Sequence, residues 1–147
     1  MWQHDQMTIT DGELLQILKE RPAGSITVLD GPTACGKTRL LKQLEASGVR
    51  SVKTHSVEAI KELIIERAYT SPSIQRILGD SDIIAIDDID FLKTAETFQT
   101  AAAILIEKAS SEHAVIIAGI QIGERIPVMM EILERRRNDL LVWKYKS

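Results

Sequence analysis

The chain has 147 residues, 44% of them hydrophobic and 27% charged, and a net charge of −3. This is room for one compact domain with its own core, 1–147, and the composition is that of a folded protein. The acidic balance leaves no overall positive field to hold DNA or RNA, and no apolar run approaches the roughly 18 residues that span a bilayer, so DNA is expected only indirectly or weakly and a membrane not at all.

In chain order, Met1 to Thr10 is polar and lacks the apolar stretch of a signal peptide, which with the single cysteine, Cys35, points to the cytoplasm. Trp2 is expected in a loose N-terminus. The spacing of Leu14, Leu15 and Leu18 predicts a helix over Asp11 to Glu20, with Thr10 and Glu13 at capping-box distance. Ser25 to Asp30 read as a buried strand that ends at a glycine turn, and Lys37 to Ala46 resume helical spacing. Arg50 to Thr54 are a second strand, and Ser56 to Tyr69 a helix with Val57, Ile60, Ile64 and Ala68 on one face. Ser71-Pro72 opens a short helix that stops at Gly79. Asp82 to Asp87 form a strand apolar through its middle, as one covered on both faces would be. A helix over Glu96 to Ala109, a strand over Ala114 to Ala118, a helix over Glu124 to Arg137 and a strand over Leu140 to Tyr145 complete the chain, with Trp143 packed in that last strand or at its edge. Alternating strands and helices imply an α/β/α sandwich around a mainly parallel, five-stranded sheet.

Two stretches carry chemistry. Gly31, Pro32, Thr33, Ala34, Cys35, Gly36, Lys37 and Thr38 match the phosphate-loop pattern G-x-x-x-x-G-K-[ST] at every position. The glycines let successive backbone N–H groups turn inward toward phosphate oxygens, and the helix that starts there adds unpaired donors and a positive dipole end. Lys37 can reach the β- and γ-phosphates, and the Thr38 hydroxyl can ligate Mg2+. Average composition would produce this octet by chance in roughly one chain of this length in two hundred, and here it also sits between a predicted strand and a predicted helix. Near that helix start and Lys37, Cys35 is expected either to carry thiolate character or simply to fit the turn, and alkylation slowed by ATP-Mg would report on the loop. The second stretch is Ile83-Ile84-Ala85-Ile86-Asp87-Asp88, an apolar strand ending in two acids. Asp87 can hold magnesium and Asp88 can orient the attacking water; the other reading is a strand turning to the surface.

The segment Asp82-Ile-Ile-Ala-Ile-Asp-Asp-Ile-Asp-Phe-Leu92 resembles the Walker B region of the AAA+ ATPases of the bacterial replication initiator (DnaA-type) and helicase-loader kind, and the spacing and helix order extend the resemblance over most of the chain. It implies a P-loop NTPase with an AAA+/ASCE-type core, ATP and Mg2+ as ligands, and a protein partner or a homo-oligomer. Ile132 to Val142 (ILERRRNDLLV) looks like a weaker form of the family segment ending in Arg-Leu-x-Ser-Arg-Phe, which would place Arg136 as a trans-acting catalytic arginine beside Asp88 and Lys37; Arg137 stands where the family has an aromatic residue. The other reading of Arg135 to Arg137 is a solvated basic helix end favoured by the dipole.

The sequence departs from that family at two places. Where the family has a polar sensor after the Ala114 strand, this chain has Ala118 and Gly119, with Gln121 the nearest polar side chain. With the chain ending at Ser147, the helical lid and a DNA-binding domain are expected to be missing. Binding with slow hydrolysis follows, since a charge-stabilising arginine alone is worth roughly 10³–10⁵ in rate. The alternatives are a non-hydrolysing adaptor and a small nucleotide or metabolite kinase, for which no lid is evident. The loop itself resembles that of tRNA isopentenyltransferases, but Val52-Lys-Thr-His-Ser56 lacks their following acidic segment. His4, His55 and His113 are too dispersed for a metal site.

Overall fold

The computed structural model describes residues 2–5, 11–32, 36–136 and 139–145. Its elements are β1 (Trp2–Asp5), α1 (Asp11–Glu20), β2 (Ile26–Asp30), α2 (Lys37–Ala46), β3 (Val52–Ser56), α3 (Val57–Ile65), α4 (Ser71–Leu78), β4 (Ile83–Asp87), α5 (Glu96–Ser110), β5 (Ala114–Gly119), α6 (Ile122–Arg125), α7 (Pro127–Arg136) and β6 (Leu140–Lys144). A short 3-10 turn, Ile89–Phe91, follows β4.

Apolar strands and amphipathic helices give the expected α/β/α sandwich. The sheet has one strand more than the five the sequence counts: its order is β1-β6-β2-β5-β4-β3, with all neighbours parallel. The extra strand is the N-terminal stretch expected to be loose, with Trp2 paired to Leu141 and Asp5 to Lys144. Its residues WQHD carry no apolar run, so only the backbone ladder to β6 makes it a strand.

Side-chain alternation along each strand sorts the core into two layers. Val28, Ile84, Ile86, Val115, Ile117 and Val142 face α3, α4, α5 and α7. Leu29, Ile83, Ala85, Ile116, Ala118 and Trp143 face α1 and α2. Trp143 is buried in β6, inside the sheet rather than at its edge.

Three boundaries move for identifiable reasons. α3 ends at Ile65 because Arg67 adopts a left-handed backbone (φ 53°), and Ala68 N–H and Arg67 N–H return to Leu63 O and Ile64 O. This is the Schellman arrangement, with arginine where glycine is usual, so the sequence carried no stop signal there. β3 starts and ends two residues later than expected, and its last residue, Ser56, caps α3 by accepting from Glu58 N–H. The helix predicted over Glu124 to Arg137 is two helices, because Pro127 drives the preceding Ile126 out of helical geometry (φ −132°, ψ 60°). Pro127 then opens α7, where its missing N–H costs nothing.

Candidate functional site

Because the strands are parallel, their C-terminal ends share one edge, and a ligand site at that edge is the rule for open α/β sheets. β5 lies between β2, which leads into the phosphate-loop sequence, and β4, which ends in the acids. The ends of β2 and β4 are therefore about 10 Å apart, twice the spacing between strands. Thr38, in the first turn of α2, reaches the end of β4 through its side chain. Gly36 takes a left-handed conformation (φ 101°) at the start of α2, and a side chain there would be strained whatever space surrounds it. Thr33, Ala34 and Cys35 lie outside the described residues.

Lys37 is buried, and its Nζ donates to Gly31 O at 2.6 Å and Pro32 O at 3.0 Å. The ammonium is thus held against the backbone of its own loop, where incoming phosphate oxygens would compete for it. Thr38 Oγ1 donates to Asp87 Oδ2 at 2.9 Å, across 49 residues of sequence. The other Asp87 oxygen accepts from Asp88 N–H at 2.9 Å, so the acid's two oxygens are oriented differently.

Asp88 is in the left-handed region (φ 57°, ψ 36°), a conformation aspartate tolerates better than most residues. Partial burial pushes its carboxyl above the ordinary aspartate value, and the Asp87 and Asp90 charges add to this while Lys37 opposes it. The structure thus brings Lys37, Thr38, Asp87 and Asp88 together at one end of the sheet. The Arg136 side chain and Arg137 lie outside the described residues.

Among the described residues no group of three His, Cys, Asp or Glu side chains is arranged to hold a metal. The Thr38–Asp87 pair is a different donor set, one hydroxyl and one carboxylate on hard oxygen. That fits magnesium, which keeps several waters and takes its remaining ligands from phosphate. Within the described residues, His55 Nε2 meets Leu78 O at 2.8 Å and His113 Nδ1 meets Ser81 O at 2.6 Å, both backbone contacts.

Three features escaped the sequence. Asp90, two residues beyond the acid pair, has its side chain 1% exposed, and its oxygens accept from Ile120 N–H at 3.0 Å and Arg125 Nη1 at 3.2 Å. A Cβ on Gly119 would stand 2.7 Å from Asp90 Oδ1, so Asp90 occupies the space beside residue 119. Gln99 is the second. Buried in α5, it accepts from Val128 and Met129 N–H at 2.9 and 3.2 Å, capping the start of α7 with a side chain remote in sequence. The third is Asp30, at the end of β2, which accepts from Ile122 N–H at 3.3 Å and lines a cavity of about 230 Å³ with Gly31, Pro32, Gln121, Glu124 and Lys144. Gln121 stands there in a left-handed backbone (φ 49°).

No family model matches the sequence, and no curated protein sequence matches it. Solved structures do. Domain III of the Thermotoga maritima replication initiation protein DnaA superposes with a TM-score of 0.69 at 20% identity over 92% of this chain, which spans 60% of that domain's length. The DnaC helicase loader gives 0.60 at 13% identity, covering 88% of this chain and 86% of the loader. A replication initiator DnaA bound to AMPPCP and single-stranded DNA gives 0.60 at 19% identity, covering 93% of this chain and 44% of its own. No helix among the described residues is long and apolar enough to cross a membrane. The chain has the α/β/α P-loop fold shared by domain III of DnaA and the DnaC helicase loader.

Proposed function

We propose that the chain binds ATP with magnesium and works as a nucleotide switch related to the replication initiators and helicase loaders. The observation that carries this reading is the 2.9 Å contact between Thr38 Oγ1 and Asp87 Oδ2. It joins the two motifs that the chemistry requires to meet, although they are far apart in sequence. In this reading the loop from Gly31 to Thr38 surrounds the phosphates with N–H donors, and Lys37 exchanges its loop carbonyls for phosphate oxygens. Thr38 and Asp87 would hold magnesium, which when bound neutralises phosphate charge. Asp88, with its elevated proton affinity, would orient a water near the terminal phosphate. The DnaA bound to AMPPCP supports a nucleotide on this fold.

Hydrolysis by the chain alone is expected to be slow. Ala118 and Gly119 offer no polar side chain at the end of β5, and Asp90 fills the adjacent space. That arrangement favours a binding switch, including a non-hydrolysing adaptor, over a fast ATPase. Charge compensation in the transition state would then come from outside, from a protein partner or from Arg136 of another copy. Contact with DNA, given a net charge of −3, would run through such an assembly.

Titration of a fluorescent ATP analogue, with magnesium and with EDTA, tests the reading. Micromolar, magnesium-strengthened binding is expected, with turnover well below about 1 s⁻¹. No binding at millimolar nucleotide would overturn it, and turnover at or above that rate without partners would overturn the switch.

A further inference from the structure

We propose that Asp90 is a positioning residue for the acid pair, fastening the turn that carries Asp87 and Asp88 to the tip of β5. The inference rests on the nucleotide-binding reading above and adds to it a residue outside both motifs. The β4–β5 ladder ends at the Ile86–Ile117 pair, whereas β5 continues through Gly119 alongside β2. Past Ile86, therefore, the strand bearing the acids has lost its backbone ladder to β5 just where its side chains must be aimed. The next free donor, Ile120 N–H, is taken by Asp90 Oδ1 at 3.0 Å. A side chain thus extends the connection the ladder abandons.

The second Asp90 oxygen is held by Arg125 of α6 at 3.2 Å. The carboxylate is enclosed (1% exposed) while the guanidinium is 45% exposed, so the anion has a fixed place and the cation follows it. Between Asp88 and Asp90 the chain is a single tight turn, with Phe91 N–H returning to Asp88 O at 3.0 Å. Asp87 still pairs with Ser56 of β3 on its other side, so fixing Asp90 fixes the backbone of Asp88 and closes the β5 side of Asp87. The glycine at 119 belongs to the same device. A Cβ there would lie 2.7 Å from Asp90 Oδ1, 2.9 Å from Ile89 Cγ2 and 3.1 Å from the Asp90 backbone nitrogen, and would push the turn away from β5.

Phosphate binding by the loop and Lys37 does not need the acid turn, but a metal shared by Thr38 and Asp87 does. Loosening the turn should therefore remove the magnesium-dependent part of nucleotide affinity and spare the rest. A fluorescent ATP analogue is titrated in magnesium and in EDTA against wild type, Asp90→Ala, Asp90→Asn and Gly119→Ala, with thermal melts alongside. Groups that orient metal ligands typically change metal affinity by roughly 10–100-fold. Asp90→Ala is expected to lose about tenfold or more of the magnesium enhancement, with EDTA affinity unchanged within about twofold. Asp90→Asn keeps an oxygen for Ile120 N–H and should recover part of the loss. Gly119→Ala, which removes no polar group, should reproduce it and remains informative if Asp90→Ala does not fold. Equal losses in magnesium and EDTA, or no loss in either, would overturn the proposal. Wild-type protein that binds no nucleotide at all would instead sink the reading on which the proposal rests, and the proposal with it.

Discussion

Where the strands begin, polar groups are consumed by fixed partners; where they end, several are held in unusual backbone conformations or with raised proton affinity. At the beginning, Arg21, with its side chain 11% exposed, donates to Thr27 Oγ1 (2.8 Å), Ile26 O (3.2 Å), Asp139 O (2.8 Å) and Asp139 Oδ1 (3.0 Å). Arg50 donates to Lys19 O and Arg21 O, and Ser51 and Asp82 bond one another through side chain and backbone. At the other end the non-glycine residues Asp88 and Gln121 are left-handed, and the carboxyls of Asp30 and Asp88 lie above their ordinary value. One sheet thus separates two tasks. The first edge spends its hydrogen bonds on stability, and the second carries the groups that the proposed reading assigns to a ligand.

The largest expected effect that would test this division comes from the first edge. Arg21→Ala leaves the buried Thr27 hydroxyl without its donor and strips the charged donor from Ile26 O and from Asp139 O, which keeps only Ile26 N–H, and should cost about 3 kcal/mol in urea unfolding. The exposed part of the Asp139 pair adds little. Nucleotide affinity of the folded variant should be unchanged, and a loss at both readouts would break the division. Lys37→Ala is its mirror image. A charged donor to phosphate is worth about 1.5–3 kcal/mol, so nucleotide affinity should drop roughly 10–100-fold. Its shift in unfolding midpoint should be smaller than that of Arg21→Ala.

Gln99→Ala comes next, at the paired starts of α5 and α7. It deprives the first turn of α7 of its acceptor and should cost about 1–2 kcal/mol by thermal or urea unfolding, the range of a lost helix cap. The residue also shows where sequence reasoning stops. The phosphate-loop octet and the Asp87-Asp88 strand end were legible because each is a local pattern whose spacing is imposed by its chemistry. So were α1, α2 and the buried strands, whose apolar periodicity is long enough to read. Gln99 and Asp90 accept from backbone 29 and 30 residues away and Arg125 pairs with a carboxylate 35 residues away, and no local pattern announces such partners. A glycine after a buried strand is the one trace Asp90 leaves, and by itself it reads as the end of the strand. β1 was missed because its polar residues are a strand only by virtue of the β6 ladder, and the early end of α3 because an arginine takes the place of glycine.

The smallest effect concerns Asp30, and it sharpens the comparison because it asks whether the second edge withholds stability even without ligand. Burial raises the Asp30 carboxyl and Glu124 adds to that, while the Ile122 and Gln121 backbone groups and Lys144 pull it down; the balance is upward. A carboxyl raised in the folded state binds its proton more tightly there than in the unfolded chain. Its contribution to stability is therefore fully present below the unfolded value near 3.8 and is lost as pH rises through the elevated folded one. Asp30→Asn removes the charge and keeps an oxygen for Ile122 N–H, so it should stabilise the protein at pH 7. The gain should be below about 1 kcal/mol, because the group is partly solvated. Near pH 3 the difference from wild type should vanish. Melting temperatures of both proteins across that range check the sign. A variant less stable at pH 7 would mean that the ionised Asp30 is held by Lys144 and the backbone groups strongly enough to count with the partners of the first edge.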